Sequence, residues 1–176
     1  MICNQCKIQP ADTYNFDESG LRIDIGGDQW IIKRDPNRQA YLGSSTNREL
    51  ITIGETISGE GCVLPPMIIV PVAIHQDQWY TRTSIPNHYL VGLSETGYSN
   101  NQLTIKWLKH FEEYSSKRQV GITRLLLLDS FGSHSTKEFI DFCHAHKIVA
   151  FCLLPHTSHL LQPLDVVVFQ PYKHYH

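Results

Sequence analysis

The first half of the chain carries short apolar runs broken by turn residues, with apolar side chains recurring every second position. Thr13 to Phe16 is one such β-prone run, and Asp17-Glu18-Ser19-Gly20 after it reads as a turn. Leu21 to Ile25 then alternates apolar and polar before Gly26-Gly27, so the two runs together predict an antiparallel hairpin. Trp30 to Ser45 reads as an irregular surface connection. Arg48 to Ile57 resumes strand character, Ser58 to Gly61 is a turn, and Leu64 to Ala73 is a further apolar run. Its prolines at 65, 66 and 71 restrict it to a sheet edge or to a strand boundary.

The rhythm changes after Asn100-Asn101. Gln102 to Ser115 places Leu103, Trp107, Leu108, Phe111 and Tyr114 on one stripe at helical spacing, with Lys106, Lys109, Glu112 and Glu113 outside it. Leu125 to Leu128 is too short and too uniformly apolar for an amphipathic helix, and suits a central strand buried on both faces, with Asp129 at its carboxyl end. Ser135-Thr136-Lys137-Glu138 has the form of a capping box with Ser135 at the N-cap, opening a helix whose inner stripe is Phe139, Phe142, Cys143 and His146. Ile148 to Leu154 predicts another buried strand, and Pro163-Leu164-Asp165 the start of a last helix. The order is a mixed α/β layout around a central sheet.

A length of 176 residues, 41% hydrophobic and 18% charged, suits one domain with a proper core and excludes coiled coils and disordered tails. Fifteen Lys and Arg against 17 Asp and Glu leave a formal charge of −2, so no global basic field draws the chain to nucleic acid. No apolar stretch approaches the roughly 20 residues of a membrane span. MICNQCKIQP lacks the apolar core of a secretory signal, and five irregularly spaced Cys suit a reducing, intracellular compartment. Cys3 and Cys6 form a C-x-x-C with no second half at zinc-finger spacing, and two unpaired thiols are the plainer reading.

Candidate chemistry lies in carboxylates at strand ends, where open α/β sheets tend to bind ligands. Asp17 and Asp129 each follow an apolar or aromatic run and precede a turn, and Asp165 comes 36 positions after Asp129. Taken singly, each has the plainer explanation of a cap or a turn residue. Three converging carboxylates without a neighbouring Arg or Lys would repel unless a divalent cation lay between them, and hard oxygens suit Mg²⁺ or Mn²⁺. A pair of such ions activates water on one side of a phosphodiester and stabilises the leaving oxygen on the other. His134, His156 and His159 with Cys152 form a weaker zinc alternative, and His134 and His159 are better read as hydrogen-bonding support for the acids or as contacts to phosphate. Glu18 is set aside as a ligand because strand alternation turns it away from Asp17. Lys106, Lys109, Lys117, Arg118 and Arg124 read as a solvated basic face.

Three blocks are distinctive enough to identify. YNFDESG at 14–20, LLLLDSFGSH at 125–134 and LLPHTSHLLQPLD at 153–165 resemble the signature blocks of the DDE superfamily endonuclease domain of pogo-type, mariner-group transposases, whose relatives include centromere protein B and the jerky proteins. Asn47-Arg48-Glu49, LPPMII at 64–69, Trp79-Tyr80 and WLKHF at 107–111 extend the likeness over about residues 8 to 176.

The resemblance implies an RNase H-like fold, a mixed five-stranded sheet flanked by helices. It places Asp17 on the first strand, Asp129 after the fourth and Asp165 on the last helix, as an all-aspartate triad holding two ions of Mg²⁺ or Mn²⁺. The implied reaction cuts transposon ends by hydrolysis and joins the freed 3′-hydroxyls to target DNA. DNA is the implied partner and the nucleus the implied location; a homodimer is left open and no membrane contact is expected. Residues 1–11 are expected to be a lead-in and 12–176 the catalytic domain, its last helix cut short at His176 and its family helix-turn-helix region not among these residues. The chain departs from the family pattern at Val70-Pro71-Val72, where an aromatic-Lys-Gly is usual, and at Val167, where Gly is usual. The other class of function open to such a chain is a catalytically inactive, transposase-derived module that binds nucleic acid or protein.

Overall fold

The computed structural model describes residues 8–23, 49–71, 85–129, 134, 136–153 and 164, with Arg22, Ile23 and Glu49 described by their backbone alone. Cys3, Cys6, the connection from Trp30 to Ser45, Trp79-Tyr80, His156, His159, Asp165 and Val167 lie outside the described residues.

A 3₁₀ turn at Pro10–Asp12 leads into β1 (Thr13–Ile23), followed by β2 (Glu49–Ser58), β3 (Met67–Pro71), β4 (Leu90–Ser94), helix α1 (Asn101–Ser116), β5 (Arg124–Leu128), helix α2 (Lys137–Ala145) and β6 (Ile148–Cys152). The strands form one mixed sheet in the order β4-β3-β2-β1-β5-β6. β1 and β2, and β2 and β3, run antiparallel, whereas β3–β4, β1–β5 and β5–β6 are parallel. This sheet with helices packed on it is the RNase H-like class expected, with six strands rather than five. The additional strand is β4, whose LVGLS sequence has a central Gly and no strong alternation.

The hairpin expected within residues 13–25 does not form. β1 continues through Asp17-Glu18-Ser19-Gly20 because β2 pairs with it residue by residue, from Tyr14 opposite Ser58 to Ile23 opposite Glu49. The long ladder satisfies the β1 backbone groups that face β2, which outweighs the local turn signal at Ser19-Gly20. Gly54, opposite Glu18, leaves room for the Phe16 ring, since a Cβ there would lie 2.9 Å from it. β3 is not an edge strand, since β4 covers it; its prolines fall before the strand and at its last residue, the boundary positions open to them.

The core forms where α1 lies on β1. Tyr14 and Phe16 point to the same face, Trp107 stacks on Phe16 at 3.8 Å between centroids, and Phe111 meets Tyr14 edge-on at 5.2 Å. Leu103, Leu108, Leu126, Leu128 and Phe139 complete this cluster. Asn100 caps α1 by accepting from the Leu103 amide, 3.0 Å away. In α2 the N-cap is Thr136, accepting from Phe139, one residue beyond the expected Ser135, so Glu138 falls at the second helical position and not at the third. β6 is the sheet's other edge, and beyond Val149 it is exposed among the described residues, unlike the buried strand expected; Phe151 is 43% exposed.

Arg124 also departs from expectation. It is 1% exposed, pairs with Glu112, and donates to Ser115 Oγ at 2.6 Å and to the His146 carbonyl at 3.0 Å. It ties β5 to the end of α1 and the end of α2, whereas Lys117 lies exposed and pairs with Glu113 at the surface.

The bend after β4 depends on Gly97, at φ +78°, where a Cβ would fall 2.2 Å from the Leu50 carbonyl oxygen. Gly97→Ala combines a left-handed backbone with a collision against another main chain, so it is expected to cost about 2 kcal/mol or more. A denaturant melt that moves by less than a few tenths of that amount would contradict this placement.

Candidate active site

The three-residue ladder between β1 and β5 sets Thr13 beside Leu125, Tyr14 beside Leu126 and Asn15 beside Leu127. Continued two residues, this register brings Asp17 alongside Asp129, just where β5 ends and β1 goes on with β2 alone. Two residues far apart in sequence are thus held at one edge by parallel strand pairing. Both line one cavity of about 200 Å³.

Local hydrogen bonds orient the two carboxylates. The Glu18 amide donates to Asp17 Oδ1 at 2.9 Å. His134 Nδ1 lies 3.2 Å from Asp129 Oδ1 and 3.3 Å from the Asp129 carbonyl oxygen. Both partners can only accept, so Nδ1 carries the proton and donates. The imidazole is 5% exposed and packs against Phe16 and Phe139, while the Asp129 side chain is 40% exposed and open to a ligand. His134 therefore supports an acid, as the sequence suggested.

Behind Asp17 on the same strand face, buried Asn15 donates to the Leu127 carbonyl at 3.4 Å and accepts from the Leu164 amide at 3.2 Å. Leu164, 1% exposed, precedes Asp165 in sequence; Asp165 itself is outside the described residues, so the structure unites two of the three expected acids.

Three residues of the cavity were not foreseen. Glu18 lines it together with Asp17, although neighbouring strand residues face opposite sides. Past the end of β5 the sheet has an open margin, and both faces of β1 reach the same cleft. Burial pushes the Glu18 carboxyl above its ordinary range; a hydrogen bond from Ser99 and the charge of His134 pull it back, and Asp129 pushes it further up. Tyr98 and Ser99 also border the cleft, brought there by the bend at Gly97. The stopping point of β5 was a usable signal for Glu18; nothing in the sequence pattern announced the other two.

Among the described lining residues there are three carboxylates and no Lys or Arg. Hard oxygen donors in an uncompensated cluster fit a divalent cation. No group of three or more His, Cys, Asp or Glu among the described residues closes a metal cage by itself.

The sequence matches the family model of the DDE superfamily endonuclease over residues 47–176. A protein of Cochliobolus lunatus named MFS-type transporter clz9 is 31% identical over 167 residues, 94% of this chain and 18% of that protein. The chain thus spans under a fifth of that relative's length, and the transporter name describes that protein; no helix among the described residues is long and apolar enough to cross a membrane.

Among solved structures, the pre-cleavage Mos1 transpososome superposes with a TM-score of 0.56 at 13% identity, covering 99% of this chain and 45% of that one. The Mos1 strand transfer complex gives 0.54 at 14%, covering 94% and 41%. The Mos1 mariner paired end complex with Mn gives 0.51 at 15%, covering 95% and 43%. At these identities the likeness is one of fold. With the match over residues 47–176 beside it, this chain belongs to the DDE superfamily endonuclease family.

Proposed function

We propose that residues 12–176 form the metal-dependent endonuclease and strand-transfer core of a transposase, which cuts transposon ends and joins the 3′-hydroxyls to target DNA. The observation that carries this reading is the convergence of Asp17 and Asp129 on one cavity free of Lys and Arg among its described lining residues. Asp165 completes the set in this proposal, and the Leu164 amide held by Asn15 supports it, since Leu164 is its neighbour in sequence. The complexes formed by the Mos1 neighbours support DNA as substrate, and the one with Mn supports a divalent metal; two ions per site, of Mg²⁺ or Mn²⁺, belong to the proposal. Action as a homodimer and a nuclear location belong to the same proposal.

The metal ions would activate the attacking oxygen and stabilise the departing one. The chain's own residues have distinct tasks. Asp17 borders the cleft, its Oδ1 held by the Glu18 amide. Asp129 is steadied by His134, which donates and does not compete as an acceptor. The cavity takes a phosphodiester group rather than a duplex, so the scissile phosphate enters and the remaining DNA lies outside it.

The second reading, a catalytically inactive binding module, draws on Val70-Pro71, which are buried where the family pattern has a Lys. Nicking of supercoiled DNA separates the two. The endonuclease reading expects nicking that requires Mn²⁺ or Mg²⁺ and is lost in an Asp129 variant; the binding module expects DNA retention without any metal-dependent nick.

A further inference from the structure

We propose that Tyr98 is a substrate-binding residue at the mouth of the cleft, stacking on an unpaired nucleobase next to the phosphate that the cleft receives; the inference rests on the reading of the cleft as the seat of a DNA phosphodiester. Tyr98 lines the same cavity as Asp17 and Asp129, and it is 59% exposed. The rings of Tyr14, Phe16, Trp107 and Phe111 are committed to the core, none of them more than 2% exposed. An aromatic face left open at the rim of a polar cleft suits a ligand that carries both a phosphate and a flat ring. A nucleotide carries both.

Charge does not supply this contact. The described lining residues include no Lys or Arg, and the whole chain has a formal charge of −2. Stacking is the attraction to DNA that survives in such surroundings, because every base has a π-face and the contact needs no cation. Bases inside a duplex are stacked on one another and cost energy to draw out, so the ring favours DNA whose base beside the phosphate is unpaired.

The backbone fixes where the ring starts. Gly97 turns the chain at φ +78°, close against the Leu50 carbonyl of β2 and Pro71 of β3, and the Tyr98 amide donates to Thr96 Oγ1 at 3.4 Å. On the other side Asn100 caps α1, and Ser99 Oγ lies 3.4 Å from Thr104 Oγ1 in the first turn of that helix. Tyr98 is therefore carried between two anchored points. With only two side-chain torsions to restrict, its ring loses little entropy on stacking.

Tyr98→Ala and Tyr98→Phe test this, since the ring is exposed and its removal leaves the core untouched. Fluorescence anisotropy reads the binding of a labelled single-stranded oligothymidylate and of an oligomer with the same length and backbone but no bases, both with Ca²⁺ present to neutralise the acids. Tyr98→Ala is expected to bind the oligothymidylate roughly 5–150-fold more weakly than the wild type, and Tyr98→Phe within about twofold of it. The base-free oligomer should bind all three chains alike, a result that a merely structural role for Tyr98 would not give. Mn²⁺ affinity and melting are expected to stay unchanged in both variants. Equal binding of the oligothymidylate by the wild type and Tyr98→Ala, or a loss that persists on the base-free oligomer, overturns the role of Tyr98 alone. A wild type that binds neither oligomer sinks the reading of the cleft as a DNA site, and this inference with it.

Discussion

Asp129→Ala is expected to reduce metal-dependent nicking of DNA by on the order of 10³-fold or more while leaving the fold intact. The side chain is 40% exposed and lies after the last residue of β5, so its removal opens no cavity in the core. What it removes is half of the carboxylate pair and the acceptor that holds His134. Asp17→Ala should behave in the same way, because the register of β1 and β5 gives the two acids one common cleft. Nicking by purified variants at saturating Mn²⁺, set against their melting curves, checks both. Retention of more than about a tenth of wild-type nicking in either variant would mean that the reaction is carried elsewhere.

Arg124→Ala is expected to have the largest effect on stability. Its guanidinium is buried and serves Glu112, Ser115 and the His146 carbonyl together. Removing one partner of a buried pair leaves the other charge uncompensated, at a cost of about 3–5 kcal/mol. Arg124→Met should cost less, because it fills the space, and Arg124→Met combined with Glu112→Leu should recover part of the loss. Urea unfolding of the three variants measures this. A destabilisation below about 1 kcal/mol for Arg124→Ala would show that the guanidinium is solvated, as the sequence alone suggested.

That contrast shows what the sequence reveals and what it withholds. α1 was legible because its apolar stripe repeats at helical spacing, and Leu103, Trp107, Leu108 and Phe111 of that stripe are buried. Leu125 to Leu128 was legible because four consecutive apolar residues between polar ends leave few other placements. Asp17 and Asp129 could each be marked as acids after an apolar run, yet their pairing depends on β1 lying parallel to β5, a long-range contact that no local pattern encodes. Glu18 was set aside by an alternation rule that assumes strands on both sides, and β1 outlasts β5. Ser19-Gly20 looked like a turn because the competing signal, ten residues of pairing with β2, comes from elsewhere in the chain. Arg124 looked like surface charge for the same reason: its partners are contributed by α1 and by the end of α2.

The domain resemblance drawn from the blocks around Asp17, Asp129 and Asp165 carried further than periodicity did, since the first two blocks hold the acids that the sheet sets beside one cavity. The match over residues 47–176 and the RNase H-like sheet agree with it. The triad's last member is the element to which the endonuclease proposal adds most.

Calorimetric titration of the metal-free chain with Mn²⁺, beside a folded Asp129→Ala variant, tests the central claim most directly. The endonuclease account predicts saturable binding by the wild type at or below millimolar Mn²⁺ that disappears in the variant. Binding of equal strength in both chains, or in neither, would contradict a metal site built on Asp129.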